Sequence, residues 1–144
     1  RNRIEATEFI NEGANFIVCP GVVEEVAVLA EKNDLLWIPG CMTPTEIILA
    51  DELGAQVVKL FPGNLLGASY VAAIKEIFPG LLFMPTGGIE TNEEDLANWF
   101  KSGAIAVGLG SKLISPDLVK TKDYQEIESI ARKTLEIIQK IHSR

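Results

Sequence analysis

Lys59 is the residue in this chain most able to do covalent chemistry. It sits in VVKLFPGN (57–64), between Val57, Val58, Leu60 and Phe61. Alternation along a strand puts Val57, Lys59 and Phe61 on one face and Val58 and Leu60 on the other. A lysine enclosed by such a strand loses hydration, which lowers its pKa and leaves more of the neutral amine. A neutral amine can attack a ketone and form a Schiff base, and the iminium then accepts electrons from a neighbouring C–C bond. The alternative is a lysine whose stem lies along the sheet while its head reaches solvent or a carboxylate.

Two glycine-rich stretches follow, MPTGGI (84–89) and VGLGS (107–111). Glycine allows backbone N–H groups to approach an anion closely. Gly87, Gly88, Gly110 and Ser111 are the residues so placed, and a phosphate is the ligand they suit; two tight turns with nothing bound are the other reading. PGCMTPTE (39–46) reads as a helix entry: Thr43 as N-cap, Pro44 at the first helical position and Glu46 three residues after the cap. That capping box gives Glu46 a structural role, while Thr43 can still face a ligand. CPG (19–21) gives a further turn, and Pro20 is placed to line a pocket.

His142 is the only histidine and lies two residues from the end, so no Ser–His or Cys–His arrangement is available. Trp37 and Trp99 read as packing residues. The acidic run 90–100 suits a helix start and has no catalytic role. Cys19 and Cys41 lack metal-ligand spacing and read as reduced, buried thiols of a cytoplasmic protein. No metal site and no cofactor is expected.

The elements that hold these residues repeat. Apolar runs at 15–21, 35–41, 55–63, 81–88 and 104–111 recur about every 20–25 residues, the period of βα units. Each is apolar on both faces, as parallel strands covered on both sides are. Amphipathic segments lie between them at 23–33, 43–54, 67–80 and 92–103, each ended by glycine or asparagine. A longer helix is expected from Asp123 to His142, and the opening residues 1–13 read as a helix with Ile4, Phe9 and Ile10 near one face. Alternating strands and helices mean an α/β fold, either an open doubly wound sheet or a closed (β/α)8 TIM barrel. Nearly every strand ends in proline or glycine, and in a barrel those ends form one rim, where active sites are built. The barrel is therefore favoured, with this chain as a single domain, residues 1–144, carrying roughly the last five βα units. Three units are then expected upstream of Arg1, since the chain opens without an initiator methionine.

A chain of 144 residues, 47% hydrophobic and with net charge −7, suits one globular domain. It is a poor partner for nucleic acid or an anionic membrane. No run reaches transmembrane length, and no signal peptide is visible.

The order GANFIVCPG, IPGCMTPTE, GAQVVKLFPG, MPTGGI, VGLGS resembles the bacterial KHG/KDPG aldolases from about residue 5 to residue 115. The resemblance implies a class I aldolase on a TIM barrel, cleaving 2-keto-3-deoxy-6-phosphogluconate or 4-hydroxy-2-oxoglutarate to pyruvate and an aldehyde. It implies Lys59 as the Schiff-base lysine. It implies Gly87, Gly88 and Ser111 at the substrate phosphate, and Pro39, Thr43, Phe61 and Thr86 at the rim near the substrate. It implies a small-molecule partner, a 2-keto acid with the phosphorylated form favoured, and a homo-oligomer, with a trimer favoured. Relatives often read FPA where this chain has Phe61-Pro62-Gly63. The family's general acid/base glutamate, its carboxylate-binding arginine and a threonine after the third strand would lie upstream of Arg1, so the 144 residues alone are expected to be a poor aldolase. Other phosphate-binding barrels, of thiamine-phosphate-synthase or epimerase type, or an incomplete barrel acting as an association module, are the alternative readings.

Overall fold

The computed structural model describes residues 1–143, and strands and helices alternate along most of the chain. The strands are β1 (Phe16–Val18), β2 (Leu36–Ile38), β3 (Gly40–Cys41), β4 (Val57–Leu60) and β5 (Leu82–Pro85). The helices are α1 (Arg3–Asn11), α2 (Glu24–Lys32), α3 (Pro44–Glu52), α4 (Gly63–Leu66), α5 (Ala68–Ile77), α6 (Glu93–Lys101), α7 (Pro116–Thr121) and α8 (Tyr124–His142). β1 pairs with β2, β3 with β4 and β4 with β5, all parallel. β2 and β3 are one extended run interrupted at Pro39, which has no N–H to give to a ladder. Two backbone bonds carry the pairing across the break: Cys19 N–H to the Ile38 carbonyl, 3.0 Å, and Lys59 N–H to the Pro39 carbonyl, 2.8 Å. The ladders are thus β1-β2 and β3-β4-β5, joined through the β2–β3 run, and the chain is an α/β protein with parallel strands.

Alternation sorts the strand residues as period-two geometry requires. Ile17, Trp37, Val58, Leu60 and Phe83 point into a core closed by Val26 and Ala30 of α2, Ile47 and Ala50 of α3, Val71 and Ile74 of α5, and Leu96 and Trp99 of α6. Val58, Leu60 and Phe83 are fully buried there. On the opposite face Phe16, Val18, Leu36 and Leu82 are exposed, while Ile38 and Val57 are buried. Coverage of the strands on both faces, expected from their composition, is therefore corrected: helices cover one face only.

Three further differences from the sequence reading have local causes. The run 104–111 forms no ladder. It is held by Ile105 N–H to the Phe83 carbonyl, Gly108 N–H to the Pro85 carbonyl and a parallel bridge between Thr86 and Gly108. Glycine weakens a strand interior, and this run has glycine at 108 and 110. In α1, Ile4 and Phe9 are exposed; only Ala6 is buried, with Ile10 half-buried beside the core. Helix α5 ends on Phe78 as its C-cap rather than on Gly80. The terminal helix begins after Asp123, whose side chain caps Glu126 N–H, and its one buried residue is Thr134. None of the described helices is long and apolar enough to cross a membrane.

Candidate active site

Lys59 is half-buried at the third position of β4, opposite Gly40 on one side and Met84 on the other. Its side chain lies on the face away from the helices, because Val58 and Leu60 take the helix side. Among the described residues no carboxylate forms an ion pair with it. Its Nζ instead stands 4.7 Å from the centre of the Phe61 ring. Burial lowers the Lys59 pKa below the ordinary 10.5, and the neighbouring Cys19 acts in the opposite direction. Among the described residues the lysine is therefore partly desolvated and has no acidic partner, and its head does not reach a carboxylate there.

The glycine loops are tied to the lysine strand by backbone. Thr86 N–H donates to the Leu60 carbonyl at 2.9 Å, Gly63 N–H to the Thr86 carbonyl at 2.7 Å, and Asn64 N–H to the Gly87 carbonyl at 2.9 Å. Gly87 and Gly88 have φ of +100° and +69°, a left-handed conformation that favours glycine. A Cβ at Gly87 would stand 3.3 Å from the Phe61 ring, so that ring reaches from the lysine to the loop. A Cβ at Gly88 would meet the Asn64 side chain at 2.5 Å. The Phe61–Pro62 bond is cis, and α4 starts directly after it.

The Pro39 ring is fully buried, and its carbonyl fixes Lys59 N–H; its link to the site runs through backbone. Thr43 caps α3 with the expected box. Its hydroxyl accepts from Glu46 N–H at 3.4 Å and donates to Glu46 Oε2 at 2.9 Å, while Met42 and Thr43 N–H groups donate to the same carboxylate oxygen at 2.8 Å. The Met42 N–H bond is the largest influence lowering the Glu46 pKa below its usual value. Ser111 is exposed in the turn after Gly110. Trp99 is buried with Nε1 donating to Asp95 at 3.2 Å, and His142 is exposed with its ring edge-on to Phe100. Cys19 and Cys41 are both buried free thiols.

Four residues near the lysine strand and the glycine loops escaped the sequence reading. Gly40, opposite Lys59, leaves room that a Cβ would close by striking the Pro20 carbonyl. Asn64 packs on Gly88, and Lys112 pairs with Glu90 at 2.6 Å, joining the two glycine loops. The only signal in sequence was adjacency: Asn64 follows FPG, and Glu90 and Lys112 each follow a glycine motif.

The parallel α/β sheet thus sets a partly desolvated lysine, with no carboxylate partner among the described residues, on the strand that is bonded to the Thr86–Gly87 turn. The chain belongs to the KDPG and KHG aldolase family, which it matches over residues 2–130. It is 32% identical over 128 residues to the 2-dehydro-3-deoxy-6-phosphogalactonate aldolase of Escherichia coli, covering 88% of this chain and 62% of that protein. It is likewise 32% identical over 137 residues to the KHG/KDPG aldolase of the same organism, covering 94% of this chain and 63% of the relative. Among solved structures, the KDPG aldolase of Legionella pneumophila with pyruvate captured as a covalent carbinolamine superposes with a TM-score of 0.80 and 25% identity, over 90% of this chain and 62% of that one. The chain thus spans a little over 60% of the length of these relatives.

Proposed function

We propose that the protein containing this chain is a class I aldolase in which Lys59 forms a Schiff base with a 2-keto acid. The observation that carries this reading is the state of Lys59: partly desolvated, against an aromatic ring, with no carboxylate partner among the described residues. The neutral Nζ adds to the ketone carbon to give a carbinolamine, which loses water to an iminium. A base takes the proton of the hydroxyl on the carbon β to the iminium, the bond between the α and β carbons breaks, its electron pair moves into the iminium to give an enamine, and the β carbon leaves as an aldehyde. Protonation of the resulting enamine and hydrolysis of the iminium release pyruvate and return the amine. The covalent carbinolamine of the Legionella relative supports the first of these steps.

The substrate on this reading is 2-keto-3-deoxy-6-phosphogluconate or 4-hydroxy-2-oxoglutarate. Phe61, Thr86, Pro39 and Thr43 belong to the wall around the keto acid. Gly87, Gly88 and Ser111 offer N–H and hydroxyl donors to a phosphate at its far end. The sheet is an arc of a (β/α)8 barrel: its strands pair in sequence order, and its exposed apolar face, with Phe16, Val18, Leu36 and Leu82, has the character of a barrel interior. A cytoplasmic homo-oligomer, a trimer by family resemblance, fits exposed Ile48 and Leu49 on α3 and Ile77 on α5.

The experiment is borohydride trapping with pyruvate, read by intact mass and peptide mapping. One pyruvate adduct on the peptide carrying Lys59, absent in Lys59→Met, is the expected result. A folded chain that yields no adduct, or an adduct on another lysine, overturns the Schiff-base assignment.

A further inference from the structure

Lys112 and Glu90 stand where the two glycine loops meet. Lys112 directly follows Ser111, Glu90 lies two residues beyond Gly88, and their side chains touch at 2.6 Å with each about half exposed. The two partners differ in how firmly they are held. Glu90 N–H donates to Asp95 Oδ2 at 2.8 Å, and that same oxygen accepts from Trp99 Nε1 at 3.2 Å. The Glu90 backbone is therefore anchored to α6. Lys112 is a compact charge on a flexible four-carbon stem, free to choose among acceptors within reach. Around them, the N–H groups of Gly87, Gly88, Ser111 and Lys112 donate to no acceptor among the described residues. The place between the loops is thus rich in donors, and its mobile cation is spent on a carboxylate.

We propose that Lys112 is a specificity-determining residue that exchanges Glu90 for the phosphate of the substrate. This rests on the reading that the glycine loops hold a phosphate. A phosphate monoester carries nearly twice the charge of a carboxylate and three acceptor oxygens, so it outbids Glu90 for the ammonium group. An exposed ion pair is weak and is readily given up. A keto acid without a phosphate leaves the Lys112–Glu90 pair in place and gains nothing from it. The exchange therefore favours phosphorylated over unphosphorylated substrates, with Glu90 as the competitor that sets the threshold. A pair that merely staples the loops together makes a different demand: breaking it from either side would loosen the site.

The test is binding of inorganic phosphate to the 144-residue chain, followed by phosphorus NMR, in wild type, Lys112→Met, Lys112→Arg and Glu90→Gln. Exchange predicts opposite signs. Lys112→Met weakens binding by roughly threefold to tenfold, Lys112→Arg retains it, and Glu90→Gln tightens it by about twofold or more. The dependence of affinity on salt also flattens in Lys112→Met. Equal weakening by Lys112→Met and Glu90→Gln shows a staple and overturns the proposal. Unchanged affinity in both variants, with wild type binding phosphate, overturns the proposal and leaves the glycine-loop reading standing. No phosphate binding by folded wild type overturns both.

Discussion

Gly40 lies directly across the parallel ladder from Lys59, and a Cβ at Gly40 would overlap the carbonyl group of Pro20. The obstacle is backbone, so no side-chain rotation relieves it. Gly40→Ala must push β3 away from the end of β1. Overpacking of this kind costs about 1–3 kcal/mol. The expected outcome is a lower urea midpoint for Gly40→Ala and slower trapping at Lys59. An unchanged midpoint would mean that the β1 end moves freely.

The pH dependence of Lys59 follows from its burial. A lysine whose folded pKa lies below its unfolded 10.5 is held protonated at a cost, and that cost is fully present at pH below the folded value. It is relieved as pH rises from the folded pKa toward 10.5. Two outcomes are expected. The initial rate of pyruvate adduct formation rises with pH and levels off before pH 10.5. Lys59→Met is more stable than wild type at neutral pH, and this advantage shrinks as pH climbs. A rate that keeps rising through the ordinary lysine range would show an unperturbed amine.

Cys41 points into the helix-side core, and burial, aided by the nearby Glu46 charge, pushes its thiol from 9.0 up to about 12. For an acid with a raised folded pKa, the stabilising difference is present below pH 9 and is lost as pH rises toward 12. Iodoacetamide at pH 8 is expected to leave Cys41 unmodified in the folded chain and to label it after denaturation. Cys41→Ala should lose less stability than wild type between pH 9 and pH 11. Rapid labelling of Cys41 in the native chain would contradict this.

Trp37 and Trp99 are equally buried, yet their indole N–H groups differ. Trp99 Nε1 donates to Asp95, while Trp37 Nε1 has no partner among the described residues. Removing an unsatisfied donor is nearly free, whereas removing one member of a hydrogen bond costs about 1 kcal/mol or more. Trp37→Phe is therefore expected to be milder than Trp99→Phe in thermal denaturation. Trp37→Ala, which empties the site, should cost about 3–5 kcal/mol. A larger loss for Trp37→Phe than for Trp99→Phe would point to a partner for the Trp37 indole.

What could be read from sequence was local. The alternation around Lys59 placed Val58 and Leu60 in the core, and T-P-T-E from Thr43 specified its capping box down to the reciprocal bonds. Both features live within a few residues, where periodicity and cap chemistry act. The fit of Gly40 against Pro20 and the pairing of Glu90 with Lys112 join residues about 20 positions apart, and no local pattern encodes them. The run 104–111 misled because its apolar content matched a strand while its glycines left only a bridge. Apolarity on both faces of the strands was real, but it does not say what stands on the second face.

The pairing order has a consequence for how the molecule is made. With β2 and β3 taken as one run, each strand lies against the one translated just before it, and Gly108 reaches Thr86 last. A nascent chain can therefore complete every ladder as its second strand leaves the ribosome, without waiting for a distant segment. Neighbour-to-neighbour topology of this kind shortens the loops that must close and lets assembly follow synthesis from the amino end. Lys59 would then acquire its Gly40 side before Met84 and the glycine loops exist, and the Thr86–Gly108 bridge and the Glu90–Lys112 pair would form later still.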